Sequence, residues 1–371
     1  MQVARDIEGF ILPFATGVLL TAFAGISESG ASIHAHILIL FGIAVSVFLL
    51  LQRKSLELRP FIIQSVIVTS AILCGILSGL LPMPVFPASH IEITALGFCE
   101  RLQEAIDKIP FKSPETGALI KALLTGERSS LPREMAEAFR DSGASHILAL
   151  SGLHLGIIYG VISRILGIFG NDIAVRRIRS ALLVAACGFY TLATGAGPSI
   201  TRAFLFILLG EIARMTGRVH SMQHTLMAAL LLQLTISPMS IRSIGFQLSY
   251  AAIAGIAFIY PWLKDFWPSD KTSSQTGSRL VRGVKWIWSS LALSISCQIT
   301  TAPLVYIYFG TFPQHFMLTN LIALPLTGIL IPSALIALVM SHWGYCPIFL
   351  TTITEFLVQV MTGTLHIIST M

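Results

Sequence analysis

Polar side chains that could contact a bound molecule are concentrated in the stretch HILALSGLHLG, which begins at residue 146. If the stretch is read as one ideal helix, His146, Ser151 and His154 lie roughly on one side of it. Two imidazoles and a hydroxyl could donate and accept hydrogen bonds along a hydrated path. The spacing therefore predicts a helix whose polar side looks toward protein or water.

The opposite side of the same helix carries a row of glycines. Gly152, Gly156 and Gly160 recur every four residues and share one face. In a bilayer such a stripe lets a neighbouring backbone come close, because no hydrophobic effect drives helices together there. We expect these three glycines to serve helix packing.

A second candidate site follows the sequence Gly195-Ala196-Gly197-Pro198. The glycines end one helix, and Pro198 suits the first turn of the next. A helix start presents free N–H groups and the positive end of its dipole, which together favour anions. With Arg202 one turn later, this is a candidate phosphate contact. The alternative is an interfacial arginine that reaches the lipid headgroups.

Uncharged polar residues are scattered through the later apolar segments. Gln247, Gln298 and Asn320 could line a hydrated path or could bond between helices. Glu211 precedes Arg214 by about one helical turn, which predicts an ion pair. Glu355, in the last apolar segment, has no predicted partner.

The composition indicates an integral membrane protein. Of the 371 residues, 54% are hydrophobic and only 11% are charged, and the mean hydropathy is +0.79. Soluble domains carry about 25% charged residues. Because backbone groups must be satisfied within the lipid, repeated apolar segments of this length predict helices. The net charge of +6 is explained first by Lys and Arg residues that orient the helices in the membrane. Binding of nucleic acid is the second interpretation.

We predict an all-α polytopic fold with about eleven membrane spans: 9–26, 33–51, 60–81, 147–169, 180–197, 199–215, 222–236, 244–262, 287–309, 317–341 and 347–370. An inside N-terminus places most Lys and Arg, including Arg176, Arg177 and Arg179, in the inside segments, and leaves the C-terminus outside. Pro303, Pro325 and Pro332 fall within spans, so several helices are expected to be kinked or broken.

The long outside segment 82–146 is predicted to contain amphipathic helices. Leu131, Met135, Ala138 and Phe139 share a face, which favours a helix lying on the membrane. Residues 92–109 show a similar pattern. A docking surface for a partner is the alternative explanation. The basic, Ser/Gly-rich loop 263–286 is expected to be an inside linker that contacts anionic lipid.

Four sequence blocks, in order, resemble ComEC-type competence proteins, the inner-membrane channels of bacterial DNA uptake. They are LLTGERSSLP…F…SGASHILALSGLHLG, GPSITRAFLFILLGEIARMTGR, SPMSIRSIGFQLSYAAIAGI and QITTAPLVYIYFGTFPQHFMLTNLIALPL. The hydropathy pattern predicts N-terminal membrane helices at 1–82 and an amphipathic segment at 83–145, and the resemblance implies a competence domain over 103–371. The family's metallo-β-lactamase-like domain, with its HxHxDH motif, and its β-barrel domain find no counterpart in this sequence.

The resemblance implies a channel that passes single-stranded DNA into the cytoplasm, in the bacterial inner membrane. It also implies an outer DNA receptor, a cytosolic helicase-like motor and a separate nuclease as partners; membrane lipid and a second copy of the chain are further candidates. The alternatives are a secondary transporter for a small anion and a degenerate relative of the DNA-uptake channel that serves only as an assembly scaffold. The sequence has no GxxxxGK[ST] motif. We expect no enzymatic activity and no cofactor. We also expect no metal site, since the side chains of His34 and His36 diverge on a helix.

Overall fold

The computed structural model describes residues 11, 13–21, 60–80, 90–170, 172–217, 221–266, 279–310 and 315–370. Every regular element in these residues is helical, as predicted. The α-helices are α1 (13–21), α2 (Pro60–Leu80), α3 (His90–Asp107), α4 (Pro114–Thr125), α5 (Arg133–Asp141), α6 (Ser145–Leu148), α7 (Gly152–Leu166), α8 (Ile173–Ala193), α9 (Pro198–Met215), α10 (Met222–Ile236), α11 (Ile244–Ala254), α12 (Tyr260–Lys264), α13 (Arg279–Phe309), α14 (Phe316–His342) and α15 (Ile348–Ser369).

Five described segments are long and apolar enough to cross a membrane: Gly152–Phe169, Ile244–Lys264, Arg282–Phe309, Phe316–His342 and Ile348–Ser369. The sequence-predicted span corresponding to α2 is a helix of 21 residues without a charged side chain. The spans corresponding to α8, α9 and α10 are helical too, but they do not meet that standard. Helices α8 and α9 each carry three charged residues, and α10 has 15 residues. The predicted span 33–51 and part of 9–26 lie outside the described residues. A helical membrane protein is therefore established, and the number of eleven spans stays a prediction.

The chain forms two compact units, residues 1–87 with 219–253 and residues 88–218 with 254–371. In the first unit α1 and α2 touch backbone to backbone. A Cβ on Gly17 would lie 2.1 Å from the Ile72 carbonyl oxygen, and one on Gly75 would lie 2.0 Å from that of Phe14. Only glycine permits this approach.

The largest core of the second unit lies along the pair formed by α14 and α15. Leu330 of α14 and Met361 of α15 pack there with Leu123 of α4 and Phe139 of α5. These side chains are at most 1% exposed. Helices α4 and α5 are thus part of the core of the second unit, which fixes the residues that precede α7.

Helix α5 does not lie on the membrane as predicted. Its apolar residues Met135 and Phe139, together with Leu131, are buried in the core against α14 and α15. The sequence pattern shows that one face of the helix is covered, but it cannot distinguish lipid from protein. In α3, Ala95 and Cys99 pack on α8, whereas the neighbouring side chains of Ile91, Ile93, Leu96 and Phe98 are exposed.

Helices α7, α8 and α9 form what we call the three-helix cluster. Leu155, Cys187 and Ile200 contribute one buried side chain from each helix. Since the connections are short, α8 runs antiparallel to the other two helices. The starts of α7 and α9 therefore share one end of the cluster, and their last turns share the other.

The prolines within the predicted spans do not break their helices. Helix α13 continues through Pro303, and α14 continues through Pro325 and Pro332. The irregular backbone lies instead in a π-helical turn, Gly255–Ile259, which directly precedes Tyr260-Pro261. A Cβ on Gly255 would lie 2.2 Å from the Ser296 carbonyl oxygen, so this turn is pressed against α13.

Candidate functional site

The HILALSGLH stretch is not one helix. Gly143, with φ of 81°, follows the end of α5, and α6 is a single turn. Ala149 is extended with ψ of 129°, and α7 begins only at Gly152. The predicted span from residue 147 is therefore wrong at its start, and His146 does not share a helix with Ser151 and His154.

Ser151 and His154 cap the start of α7 together. The Ser151 hydroxyl lies 2.9 Å from His154 Nδ1, and the Ser151 backbone N–H donates to the same nitrogen at 3.2 Å. A residue at the third helical position that reaches back to the N-cap in this way forms a capping box. The pair thus determines where α7 begins.

The capping contact fixes the proton on His154. Since Nδ1 accepts the backbone N–H of Ser151, a neutral imidazole must carry its proton on Nε2. The side chain is 0% exposed, and Nε2 has no hydrogen-bond partner among the described residues. Buried donors are normally paired. This N–H is consequently the clearest candidate for contact with a bound group.

His146 lies on a different helix from this pair. Its Nδ1 is 3.2 Å from the carbonyl oxygen of Gly143, and the residue is exposed. It belongs to the one-turn helix α6, which the extended residues 149–151 separate from α7. The structure thus places His146 at the approach to α7.

The start of α9 has the form that its sequence predicts. Gly195 and Ala196 both have left-handed backbone conformations, with φ of 81° and 48°. Gly197 is the N-cap and Pro198 occupies the first turn. A left-handed alanine is strained, and strain of this kind persists where the surrounding structure enforces it. The first backbone N–H groups of α9, which have no acceptor within the helix, point beyond its N-terminus at this turn.

Arg202 is buried one turn below this start. It is only 4% exposed, and its Nη2 donates to the Ser199 carbonyl oxygen at 3.3 Å and to the Ser199 hydroxyl at 3.2 Å. The alternative of an arginine that extends to the surface is therefore wrong. A buried guanidinium retains its charge and is costly unless compensated.

The starts of α7 and α9 adjoin each other. A Cβ on Gly152 would lie 3.2 Å from the Ala203 Cβ, so the predicted close packing is found at this glycine. At Gly156 and Gly160 a Cβ would meet no atom within 4 Å, so the described residues supply no such neighbour there. Two helix N-termini, Arg202 and the Nε2–H of His154 consequently share one end of the cluster, which favours an anion.

The other predicted path residues, Gln247, Gln298 and Asn320, lie on α11, α13 and α14. Gln247 lies in the first unit, where its amide donates to the Ile241 carbonyl oxygen at 2.8 Å. Asn320 follows Thr319, whose hydroxyl donates to the Ser142 carbonyl oxygen at 2.7 Å. The Asn320 Oδ1 and the Gln298 Nε2 are buried without a hydrogen-bond partner among the described residues.

The opposite end of the three-helix cluster holds a fully engaged carboxylate. Glu211 is 3% exposed and pairs with Arg214 at 2.7 Å, as the spacing predicts. It also accepts hydrogen bonds from the Tyr159 and Ser180 hydroxyls. The network joins all three helices, so its role is structural.

Two further polar contacts escaped the sequence analysis. Glu355 of α15 accepts hydrogen bonds from the backbone N–H groups of Lys112 and Ser113, directly before α4. No local signal could have found this contact, because Ser113 is itself a typical N-cap residue, and only the structure shows that its side chain makes no cap hydrogen bond. Tyr190 donates to the Leu124 carbonyl oxygen at 2.6 Å and ties α8 to the end of α4.

The TGERSSLP block forms a tight turn beside the start of α7. Gly126 has φ of 79°, and a Cβ on it would lie 2.7 Å from the Leu150 side chain. The Glu127 carboxylate accepts hydrogen bonds from Ser129 and Ser130. The Ser129 side chain, above all, lowers the pKa of Glu127, because its hydrogen bond favours the charged form.

Comparison with known proteins gives consistent relatives. Residues 123–371 match the family described as Competence protein. The chain is 27% identical over 244 residues to the uncharacterized protein YcaI of Escherichia coli, 26% over 223 residues to ComE operon protein 3 of Bacillus subtilis, and 27% over 229 residues to the competence protein ComA of Neisseria gonorrhoeae. These matches cover 61%, 59% and 60% of this chain, but 29%, 25% and 30% of those proteins. No solved structure matches the chain.

Proposed function

Since the chain belongs to the Competence protein family, we propose that it passes single-stranded DNA through the bacterial inner membrane during natural transformation. The observation that carries this proposal is the paired start of α7 and α9. There the buried Arg202 and the Nε2–H of His154 lie at one end of the cluster, with two helix N-termini. Such an end favours negative charge.

A DNA strand is a flexible polyanion whose phosphates repeat along its length. A site with one buried cation, helix N-termini and a neutral donor attracts a phosphate without reading the base. Few cations and otherwise neutral walls would hold each phosphate weakly, so that the strand can slide. The exposed His146 lies at the approach to this site.

The remaining parts of the system are proposals of the same kind. We place the N-terminus in the cytoplasm and the C-terminus outside, which puts the starts of α7 and α9 on the outer side. The sequence has no nucleotide-binding motif, so a cytosolic helicase-like motor would pull the strand. An outer receptor would deliver DNA, and a separate nuclease would supply any hydrolysis, since we propose no enzymatic step for this chain.

The test compares two arginine substitutions in a naturally transformable host. Arg202→Gln should reduce transformation at least tenfold for DNA of any sequence, while Arg140→Gln, at an exposed arginine of α5, should leave it unchanged. Protein levels in the membrane must match wild type for both. Wild-type transformation by an Arg202→Gln protein that accumulates normally would contradict the proposed path, and wild-type transformation after gene deletion would contradict the function.

The same end of the cluster would also fit a transporter for a small anion, because broken helix starts and an arginine can hold one solute. The two functions separate in the deletion strain. Loss of transformation with unchanged growth on anionic nutrients favours DNA passage. Normal transformation with a specific growth defect, rescued by the wild-type gene, favours the transporter.

A further inference from the structure

Exposed arginines surround the connection between α7 and α8, at the opposite end of the three-helix cluster from His154. Arg164 lies in the last turn of α7, and Arg176 and Arg177 lie near the start of α8. All three residues are exposed. We call these three side chains, with the 3-10 turn Gly167–Phe169 between them, the arginine patch.

The charges of the patch are available to a ligand. In the described part of the chain no carboxylate forms an ion pair with Arg164, Arg176 or Arg177. The nearby Arg214 differs, because Glu211 and Tyr159 already engage it. Three like charges close to one turn repel one another unless an anion lies among them.

Apolar side chains project from the same turn. Ile168 is 82% exposed and Phe169 is 72% exposed, and Ile173 follows at 63%. These residues end the candidate span Gly152–Phe169. A membrane helix that ends in exposed apolar side chains flanked by arginines lies where acyl chains meet headgroups.

We propose that the arginine patch binds the phosphate groups of anionic phospholipids, with Ile168 and Phe169 inserted among the acyl chains. A guanidinium binds phosphate through two parallel N–H donors, which suits headgroup recognition. Single-stranded nucleic acid is the poorer match, because successive bases need several aromatic platforms and this turn offers one aromatic side chain, Phe169. The lipid site does not depend on DNA passage through the chain.

The experiment measures binding of phosphatidylglycerol to the purified full chain in neutral detergent micelles. The patch variant carries Arg164→Gln, Arg176→Gln and Arg177→Gln, and the control carries Arg101→Gln, Arg133→Gln and Arg140→Gln, three exposed arginines outside the cluster. Each arginine near a membrane surface contributes about fivefold in affinity, so the patch variant should bind roughly a hundredfold more weakly. The control should stay within about twofold of wild type, because both triple variants lose the same charge.

Several outcomes would overturn the lipid site. Wild-type affinity in the patch variant, or equal binding of phosphatidylcholine, would remove the role of the headgroup charge. Full competition by inorganic phosphate would assign a free-phosphate site, and displacement of the lipid by a single-stranded oligonucleotide would assign a nucleic-acid site. If the patch variant does not fold, Ile168→Ser with Phe169→Ser retains the cations and must still lose affinity; unchanged binding there also rejects the proposal.

Discussion

The two ends of the three-helix cluster bury polar groups in opposite ways. At one end Glu211 receives hydrogen bonds from Tyr159, Ser180 and Arg214, so that one carboxylate is held from three helices. At the other end His154 uses Nδ1 to cap α7, and its Nε2–H has no partner among the described residues. Within the described residues the carboxylate of the first arrangement is fully paired, and the second leaves one buried N–H without a partner.

This difference distinguishes polar residues that stabilise the fold of a membrane protein from polar residues that could bind a ligand. Polar residues within spans are functional hypotheses by default. A completed network such as that of Glu211 is instead explained by the fold it stabilises. The incomplete end is where a bound anion would replace a missing partner. Four experiments test this contrast and the helices around it, in order of decreasing effect.

Loss of the Glu211 carboxylate should have the largest effect on stability. Glu211→Ala removes an acceptor for three helices and leaves Tyr159, Ser180 and Arg214 without it. We expect the free energy of unfolding in mixed micelles to fall by about 3 kcal/mol. Glu137→Ala, at an exposed carboxylate of α5, is the control and should change it little. Equal losses for the two variants would mean that the network adds nothing.

The glycines of α7 should differ sharply from one another. Gly152→Leu pushes a side chain toward Ala203 and should cost about 2 kcal/mol of unfolding free energy through overpacking. A Cβ on Gly156 would meet no described atom within 4 Å, so Gly156→Leu should cost less. Denaturation of the two purified variants side by side checks this. A larger loss at Gly156 would show that a neighbour covers this position in the membrane.

His154 should affect function more than stability. Glutamine is a usual third-position partner in capping boxes, so His154→Gln retains an acceptor for Ser151 and should cost about 1 kcal/mol or less. It replaces the imidazole Nε2–H by an amide donor in a different position, and transformation frequency should therefore fall further than the protein level does. Normal transformation together with poor accumulation would assign His154 to the fold alone.

The Glu127 turn should give the smallest effect, visible only through pH. Because the folded-state pKa is lowered, the stabilisation is present above the unfolded-state pKa and is lost as pH falls through the folded value. The unfolding temperature of Glu127→Gln should lie below that of wild type at pH 7. The gap should close between about pH 5 and pH 3. A gap that stays constant with pH would exclude the carboxylate as its cause.

Local sequence patterns predicted what depends on local physics. The apolar segments gave helices over most of the predicted ranges, and the spacing of Glu211 and Arg214 gave their ion pair. Gly197-Pro198 gave the start of α9. Each of these depends on residues within a few positions of each other.

Other features depend on contacts that no local pattern contains. Helix α7 begins at Gly152 and not at residue 147 as predicted, because Gly143 turns the chain and Ser151 with His154 caps a new helix. The covering of α5 by α14 and α15 requires residues more than 180 positions away. The burial of Arg202 likewise follows from tertiary packing, which periodicity does not report.

The contact between Glu355 and the backbone before α4 also sets an order of events during synthesis. The carboxylate that caps this start is made 242 residues after Ser113. While the ribosome synthesises the intervening membrane helices, α4 has neither the Glu355 carboxylate nor the apolar side chains of α15 to pack against. The segment that precedes α7 can complete its native contacts only after the last described helix has entered the membrane. Correct folding of this early region therefore depends on the end of translation.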